Sequence, residues 1–117
     1  MGKLSTHVLD VTQGKPGDGV AIELYAVRGS EKTLLKQAVT NADGRCDAPL
    51  LAGDEMAVGC YELVFAAGDY FARQGTVLPE PKFIDRVTIA FGIADVAQNY
   101  HVPLVVSPWA YSTYRGS

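Results

Sequence analysis

The chain has 117 residues, of which 48% are hydrophobic and 20% are charged, and its formal net charge is -3. This length and composition are typical of one globular domain that fills its core without metals or disulfides, and we expect a single domain over residues 1–117. Acidic and basic side chains are scattered along the chain without long runs of one sign. That distribution argues against nucleic acid as a partner.

Two cysteines, Cys46 and Cys60, are too few to form a disulfide framework, and we expect both to be reduced. The sequence begins Met1-Gly2-Lys3-Leu4-Ser5 and leads directly into a strand pattern. We see no apolar stretch with the length of a signal peptide or a membrane span. These features predict a cytoplasmic protein without a membrane partner.

Apolar residues alternate with a period of two, which predicts half-buried β-strands. The predicted strands are 4 to 11, 20 to 25, 32 to 40, 61 to 65, 86 to 91, 100 to 106 and 109 to 115, with a further short strand at 45 to 48. Turn sequences rich in Gly, Asn, Asp and Pro separate them. One helix is predicted over 67 to 75, with Asp69 as a candidate N-cap and Gly75 as its stop. The pattern indicates an all-β sandwich of two antiparallel sheets.

Strand parity places both histidines of the chain on faces that point away from the core. His7 lies opposite the apolar set of its strand, and so does His101. The same parity puts Ser112 and Tyr114 on the outer side of 109 to 115. If the three strands lie in one sheet, these four side chains share its outer face.

The same outer face carries Leu9, Pro103, Val105 and Ala110, which make it too apolar to remain exposed to solvent. A groove or a subunit interface would cover such a face, so we expect an oligomer. Pro103 inside a strand also removes one main-chain hydrogen bond from the sheet.

Imidazole titrates near neutral pH, so two histidines on one face are candidates for activating water, although a single strand histidine is more often structural. Arg45, directly after the Asp43-Gly44 turn, is either a clamp for a carbonyl or oxyanion or a solvated surface charge. Tyr114 either packs or orients a substrate. The widely separated histidines match no spaced metal motif, and we expect no metal.

Motifs at both ends and in the middle of the chain follow the order of a known family. They are Leu4-Ser5-Thr6-His7-Val8-Leu9-Asp10, the Asn41-Ala42-Asp43-Gly44-Arg45 turn, Tyr100-His101-Val102-Pro103-Leu104, and the ending Tyr114-Arg115-Gly116-Ser117. With these motifs the chain resembles the transthyretin-like (prealbumin-like) family and, within it, the 5-hydroxyisourate hydrolases. The resemblance implies a sandwich of two four-stranded antiparallel sheets with one short helix, assembled as a homotetramer with active sites at subunit interfaces.

The resemblance also implies an activity in purine catabolism, the hydrolysis of 5-hydroxyisourate from urate oxidation to 2-oxo-4-hydroxy-4-carboxy-5-ureidoimidazoline. His7, Arg45 and His101 match the family's catalytic residues, and His7, Arg45, Tyr114 and Ser117 match its substrate-binding residues. In the mechanism that this implies, the histidine pair deprotonates a water that attacks a ring carbonyl, and Arg45 stabilises the oxyanion. No cofactor is needed, because water is the nucleophile.

A small-molecule carrier of the transthyretin type is the alternative, since a fold does not decide a function. The discriminating residues are His7, Arg45, His101 and Tyr114. An open carrier channel has no need of paired imidazoles, and Tyr114 would obstruct a long aromatic ligand. These residues favour the enzyme.

Overall fold

Two β-sheets packed face to face form the body of the protein in the computed structural model, which describes residues 2–116. The strands are β1 (Lys3–Asp10), β2 (Lys15–Pro16), β3 (Ala21–Arg28), β4 (Glu31–Val39), β5 (Leu51–Ala52), β6 (Gly59–Phe65), β7 (Val87–Ile93), β8 (Tyr100–Val106) and β9 (Tyr111–Thr113). A 3-10 turn, Gly53–Glu55, follows β5, and the helix α1 (Ala67–Arg73) follows β6. Among the described residues, no helix has the length and apolar character needed to cross a membrane.

The first sheet has the order β2-β1-β8-β9, with β5 also paired to β1, and the second has the order β4-β3-β6-β7. The predicted all-β sandwich with one short helix is confirmed. One pairing in the first sheet differs from the antiparallel expectation, since β1 and β8 run parallel, and β2 and β5 add short pairings to β1. Because β1 and β8 lie at opposite ends of the chain, no hairpin fixes their relative direction.

Some predicted boundaries also differ from the structure. The predicted strand at 45 to 48 does not form, since Arg45 makes only an isolated bridge with His7 and the chain pairs with β1 further along, at β5. β2 lies in a segment that we predicted as a turn. The prediction missed it because a strand of two residues is too short to show alternation. β9 is shorter than predicted and begins after Ala110, whose carbonyl closes a turn by accepting a hydrogen bond from the Ser107 amide.

Helix α1 begins at Ala67, as predicted, but ends at Arg73, two residues before the predicted limit of 75, and is capped differently. Its N-cap is Ala66, and Asp69 lies inside the first turn, so the prediction of Asp69 as the cap is wrong. Asp69 still places a negative charge near the positive end of the helix dipole. Gly75 follows the helix with a φ of +82°, a conformation that favours glycine and stops the helix.

The core lies between the sheets and is filled by the alternate apolar residues that parity predicts. The buried set includes Val20, Ile22, Leu24, Tyr61, Leu63, Phe65, Val87, Ile89, Tyr100, Val102, Leu104 and Val106. On β1 the buried side chains are Leu4, Thr6, Val8 and Asp10, which leaves the odd-numbered positions on the outer face. Burial of this set therefore fixes which side of the first sheet remains available for chemistry.

A buried hydrogen bond ties α1 to the strand that carries His7. Tyr70 Oη donates to Asp10 Oδ2 at 2.8 Å, and the backbone amides of Thr12 and Gln13 donate to Oδ1 at 2.9 and 3.2 Å. Burial and the hydrogen bond to the carboxyl group raise the pKa of Tyr70 well above its ordinary value. Asp10 is only 1% exposed, so its carboxylate depends on these protein donors.

Removal of the Tyr70 hydroxyl should destabilise the fold. We expect Tyr70→Phe to lower the free energy of unfolding by about 1–3 kcal/mol, because a buried carboxylate loses a donor. The matched control is Tyr61→Phe, since the Tyr61 hydroxyl donates at 2.6 Å to a neutral acceptor, the Ala57 carbonyl. That variant should lose only about 0.5–1.5 kcal/mol. Urea denaturation measures both, and equal losses would contradict a particular dependence on Asp10.

Candidate active site

The two histidines come from neighbouring strands of the first sheet. β1 and β8 are parallel partners in which Ser5 stands opposite His101 and His7 stands opposite Pro103. Because side chains alternate along a strand, Ser5, His7 and His101 project from the same face, away from the buried Val8. The predicted common face of the two imidazoles is confirmed by this register.

A tight turn brings Arg45 to the same face. The Asn41 side-chain oxygen accepts hydrogen bonds from the backbone amides of Asp43 and Arg45, at 2.9 and 3.2 Å. The Gly44 amide donates to the Asn41 carbonyl at 2.9 Å and closes the turn. Arg45 then forms an antiparallel bridge with His7. Residues that stand opposite one another in a ladder share a face, so the guanidinium belongs to the histidine side.

Gly44 lets this turn lie directly on β1. Its φ is +75°, and a Cβ atom at this position would lie 2.4 Å from the Val8 carbonyl oxygen. The Val8 amide donates to the Gly44 carbonyl at 2.8 Å. Both the backbone conformation and the close approach require glycine. The Asp-Gly-Arg sequence is therefore the means by which Arg45 reaches the face of β1.

His7 is held through its Nε2 atom, which lies 2.9 Å from the carbonyl oxygen of Asp43. A carbonyl oxygen only accepts hydrogen bonds, so Nε2 carries the hydrogen and donates it. In the neutral ring the lone pair then lies on Nδ1. The turn that presents Arg45 thus also fixes the tautomer of His7.

His101 is held through its other ring nitrogen, since Nδ1 lies 2.8 Å from Ser5 Oγ. A hydroxyl group both donates and accepts, so this contact suits either neutral tautomer. Burial, the Arg45 guanidinium and His7 together lower the pKa of His101 below its ordinary value. A positively charged neighbour opposes a second positive charge, which keeps His101 neutral at pH 7.

The C-terminal segment lies against His101. The Gly116 amide donates to the His101 carbonyl at 2.8 Å, and a Cβ atom at Gly116 would lie 2.5 Å from His101 Cδ2. Arg115 anchors the segment, because its guanidinium carbon lies 4.2 Å from the centroid of the Tyr100 ring and Nη2 donates to the Asn99 carbonyl at 3.0 Å. A cation over an aromatic face is a stabilising contact. Arg115 and Gly116 are thus tied to the site.

Tyr114 lies between two residues that pair with β8, Thr113 and Gly116. β9 pairs with β8 up to Thr113, and the same register resumes at Gly116. In that register Tyr114 stands opposite Pro103, whose partner on the other side is His7. Tyr114 is 59% exposed and also borders a cavity between β7 and β8. Its register position agrees with the parity prediction, and it lies at the margin of the histidine face.

Two contributors to this site were not predicted to take part in it. Ser5 has the same strand parity as His7, but its contact with His101 depends on the β1–β8 register, which no local pattern reveals. The Asp43 carbonyl is a main-chain group, so its contact with His7 cannot be predicted from the residue type. Ser117, predicted to bind substrate, lies outside the described residues. Within residues 2–116, no three or more His, Cys, Asp or Glu side chains are grouped to hold a metal ion.

Fold and site together define a transthyretin-like β-sandwich with two imidazoles and a guanidinium on one sheet face. Residues 4–116 match the HIUase/Transthyretin family, and the chain belongs to that family. A 5-hydroxyisourate hydrolase of Mesorhizobium japonicum is 63% identical over 99% of this chain and 93% of its own. The structure of Klebsiella pneumoniae 5-hydroxyisourate hydrolase matches with a TM-score of 0.80 and 38% identity over 100% of both chains. Sea bream transthyretin, solved with thyroxine, shares the fold, with a TM-score of 0.87 and 23% identity over 97% of this chain and 94% of its own.

The effect of Arg45 on His101 can be measured directly. Because the guanidinium opposes protonation of the ring, Arg45→Ala is expected to raise the pKa of His101. NMR titration of the histidine ring protons measures the shift, and His7→Gln assigns the two sets of signals. Arg86→Ala is the control, since it removes an equal charge from the second sheet, where Arg86 pairs with Glu23 at 2.6 Å. Equal shifts in the two arginine variants would contradict the coupling.

Proposed function

We propose that this protein hydrolyses 5-hydroxyisourate with a water activated by the two histidines. The observation that carries the proposal is the convergence of His7, His101 and Arg45 on one face of the first sheet. Family membership and the names of the full-length relatives support the same reaction. The protein is an enzyme of urate degradation in purine catabolism, and its product is 2-oxo-4-hydroxy-4-carboxy-5-ureidoimidazoline.

Neutral imidazoles suit the first step of this reaction. A water held by His7 and His101 gives a proton to a ring nitrogen, and the resulting hydroxide adds to a ring carbonyl carbon of the substrate. The carbonyl π electrons move to oxygen, which becomes an oxyanion. Arg45 stabilises that negative charge by hydrogen bonding and by its own charge. Burial and the same guanidinium lower the pKa of His101 beforehand, so that a lone pair is available on that ring.

The second step opens the ring. The oxyanion reforms the carbonyl, the bond from carbon to the ring nitrogen breaks, and the imidazolium returns its proton to the departing nitrogen. One water has then been added, and the histidines are neutral again. Tyr114, at the margin of the face, narrows the site for a flat substrate, and Ser117 keeps the substrate-binding role that the family resemblance implies. The alternative of a carrier is supported by the fold alone.

We also propose a homotetramer with the active sites at subunit interfaces. Leu9 and Val105 on the histidine face are only half-buried, and Trp109 and Tyr111 are 58% and 49% exposed close by in sequence. β7 and β9 end their sheets with open edges, which offer backbone groups to another strand. Apolar and aromatic surface beside open edges is suited to a second copy of the chain, which would enclose the histidine face and exclude bulk water.

Each subunit in this proposal is one domain over residues 1–117, and we place the reaction in the cytoplasm. Cys46 and Cys60 are both free thiols. Burial raises the pKa of Cys46, which makes it less reactive as a nucleophile. Unpaired cysteines of this kind are typical of a reducing compartment.

Activity is tested with 5-hydroxyisourate generated by urate oxidase immediately before use. The wild-type protein should accelerate the loss of substrate absorbance, and His101→Ala should lower kcat/KM by about 10²–10⁴-fold, the usual contribution of a general base. Arg86→Ala, on the second sheet, should react at the wild-type rate. Equal decay with the wild type and His101→Ala would overturn the proposed function.

Oligomeric state provides a separate test. Sedimentation velocity should give a species of four times the 12.5 kDa chain mass. Val105→Glu should dissociate it and reduce activity while leaving the far-UV circular dichroism unchanged, because burying a new charge in an interface is costly. Thr33→Glu, at an exposed position of β4, is the matched control and should stay tetrameric. A fully active monomeric wild type would contradict the proposed assembly.

A further inference from the structure

The two histidines are held by opposite ring nitrogens. His7 uses Nε2, at 2.9 Å from the Asp43 carbonyl, and His101 uses Nδ1, at 2.8 Å from Ser5 Oγ. His7 must donate to its carbonyl partner, so only its Nδ1 has a free lone pair. Neither of these two contacts involves Nε2 of His101. The two rings are therefore not equivalent, although both belong to the same face.

Ser5 holds a well-defined position relative to His101. It stands directly opposite His101 in the parallel register, between the pairs Leu4–Tyr100 and Thr6–Val102. The Thr6 hydroxyl donates to the Val102 carbonyl at 2.7 Å in the buried layer beneath, which adds a side-chain bond across the same two strands. Backbone pairing on both sides of Ser5 is enough to leave its hydroxyl little freedom to move away from the imidazole.

The protonated state of His101 shows what Ser5 contributes. Once Nε2 has taken a proton, Nδ1 also carries a hydrogen, and that hydrogen needs an acceptor. The Ser5 oxygen is already at hydrogen-bonding distance. The charged or titratable groups that influence His101 are Arg45 and His7, and both oppose a positive charge on the ring. Ser5 is thus the neighbour that favours the imidazolium, the form needed to protonate the leaving nitrogen.

We propose that Ser5 is a positioning residue that selects the tautomer of His101. Ser5 Oγ accepts a hydrogen bond from Nδ1–H, so Nε2 keeps the lone pair that removes the proton from water. The same bond stabilises the imidazolium until Nε2–H passes its proton to the departing ring nitrogen. His7, with Nε2 engaged by the Asp43 carbonyl, orients the water by accepting a hydrogen bond at Nδ1. The roles in turnover rest on the proposed function, whereas the tautomer itself does not.

The tautomer is tested without substrate. The chain contains only two histidines, so ¹⁵N NMR of protein labelled at histidine resolves each ring, and His7→Gln assigns them. We expect His101 to carry its hydrogen on Nδ1 in the wild type and to lose that single-tautomer signature in Ser5→Ala. A hydrogen on Nε2 in the neutral wild type, or an unchanged spectrum in Ser5→Ala, would overturn the proposal.

Kinetics test the positioning role. Ser5→Ala should lower kcat by up to about 100-fold, the scale of a small misplacement of a catalytic group, with little change in KM. In this variant the His101 imidazolium loses a hydrogen-bond acceptor, so the pKa of His101 falls. The acidic limb of the pH–rate profile then moves to lower pH. Ser5→Thr keeps a hydroxyl and should restore both properties.

Thr6→Val is the matched control, because it removes the neighbouring hydroxyl, which donates to the Val102 carbonyl on the opposite face. It should reduce stability and leave the acidic limb in place. A shift of the limb in Thr6→Val equal to that in Ser5→Ala would reduce Ser5 to a structural role. The two proposals fail separately: an inactive wild type with the expected tautomer contradicts only the hydrolase, and an active enzyme insensitive to Ser5→Ala contradicts only the positioning role.

Discussion

The parallel pairing of β1 with β8 is the constraint on which the rest of the site depends. It sets Ser5 against His101 and His7 against Pro103. A slip of one residue would turn His7 into the core and Val8 out of it, because side chains alternate along a strand. Burial of the even-numbered side chains of both strands excludes that slip. The packing of the core therefore fixes the geometry of the histidine face without involving the side chains on that face.

In the proposed mechanism, Arg45 and Ser5 act on His101 in opposite directions, which suits a group that must both take and return a proton. The guanidinium lowers the pKa of the ring, and Ser5 Oγ, 2.8 Å from Nδ1, would accept a hydrogen bond from the protonated form. A catalytic pKa near the working pH is the most effective compromise between the two.

Sequence reasoning predicted the parts of the fold that depend on local periodicity. The faces of β1 and β8 and the turn before Arg45 follow from alternation and from the Asp43-Gly44 pair, which are local signals. The parallel direction of β1 and β8 and the contact of Ser5 with His101 do not, because they depend on pairing between the ends of the chain. Resemblance to a family supplied the residues that we propose as reactive, whereas the tautomer of His7 follows only from the carbonyl oxygen that faces its Nε2.

His101 is contacted from both sides in the sheet, by Ser5 of β1 and by the backbone of Gly116, which explains why residues 115 and 116 belong to the site. On one side Ser5 contacts Nδ1, and on the other the Gly116 backbone leaves no room for a Cβ atom beside the ring. Arg115 holds that backbone by its contact with Tyr100, whose hydroxyl accepts hydrogen bonds from the Ala94 and Asp95 amides at 3.0 Å each. The tail is thus anchored to the loop before β8 as well as to β8 itself. An imidazole held between a strand and an anchored segment is suited to keep one orientation, as the proposed transfer of a proton to and from the same nitrogen requires.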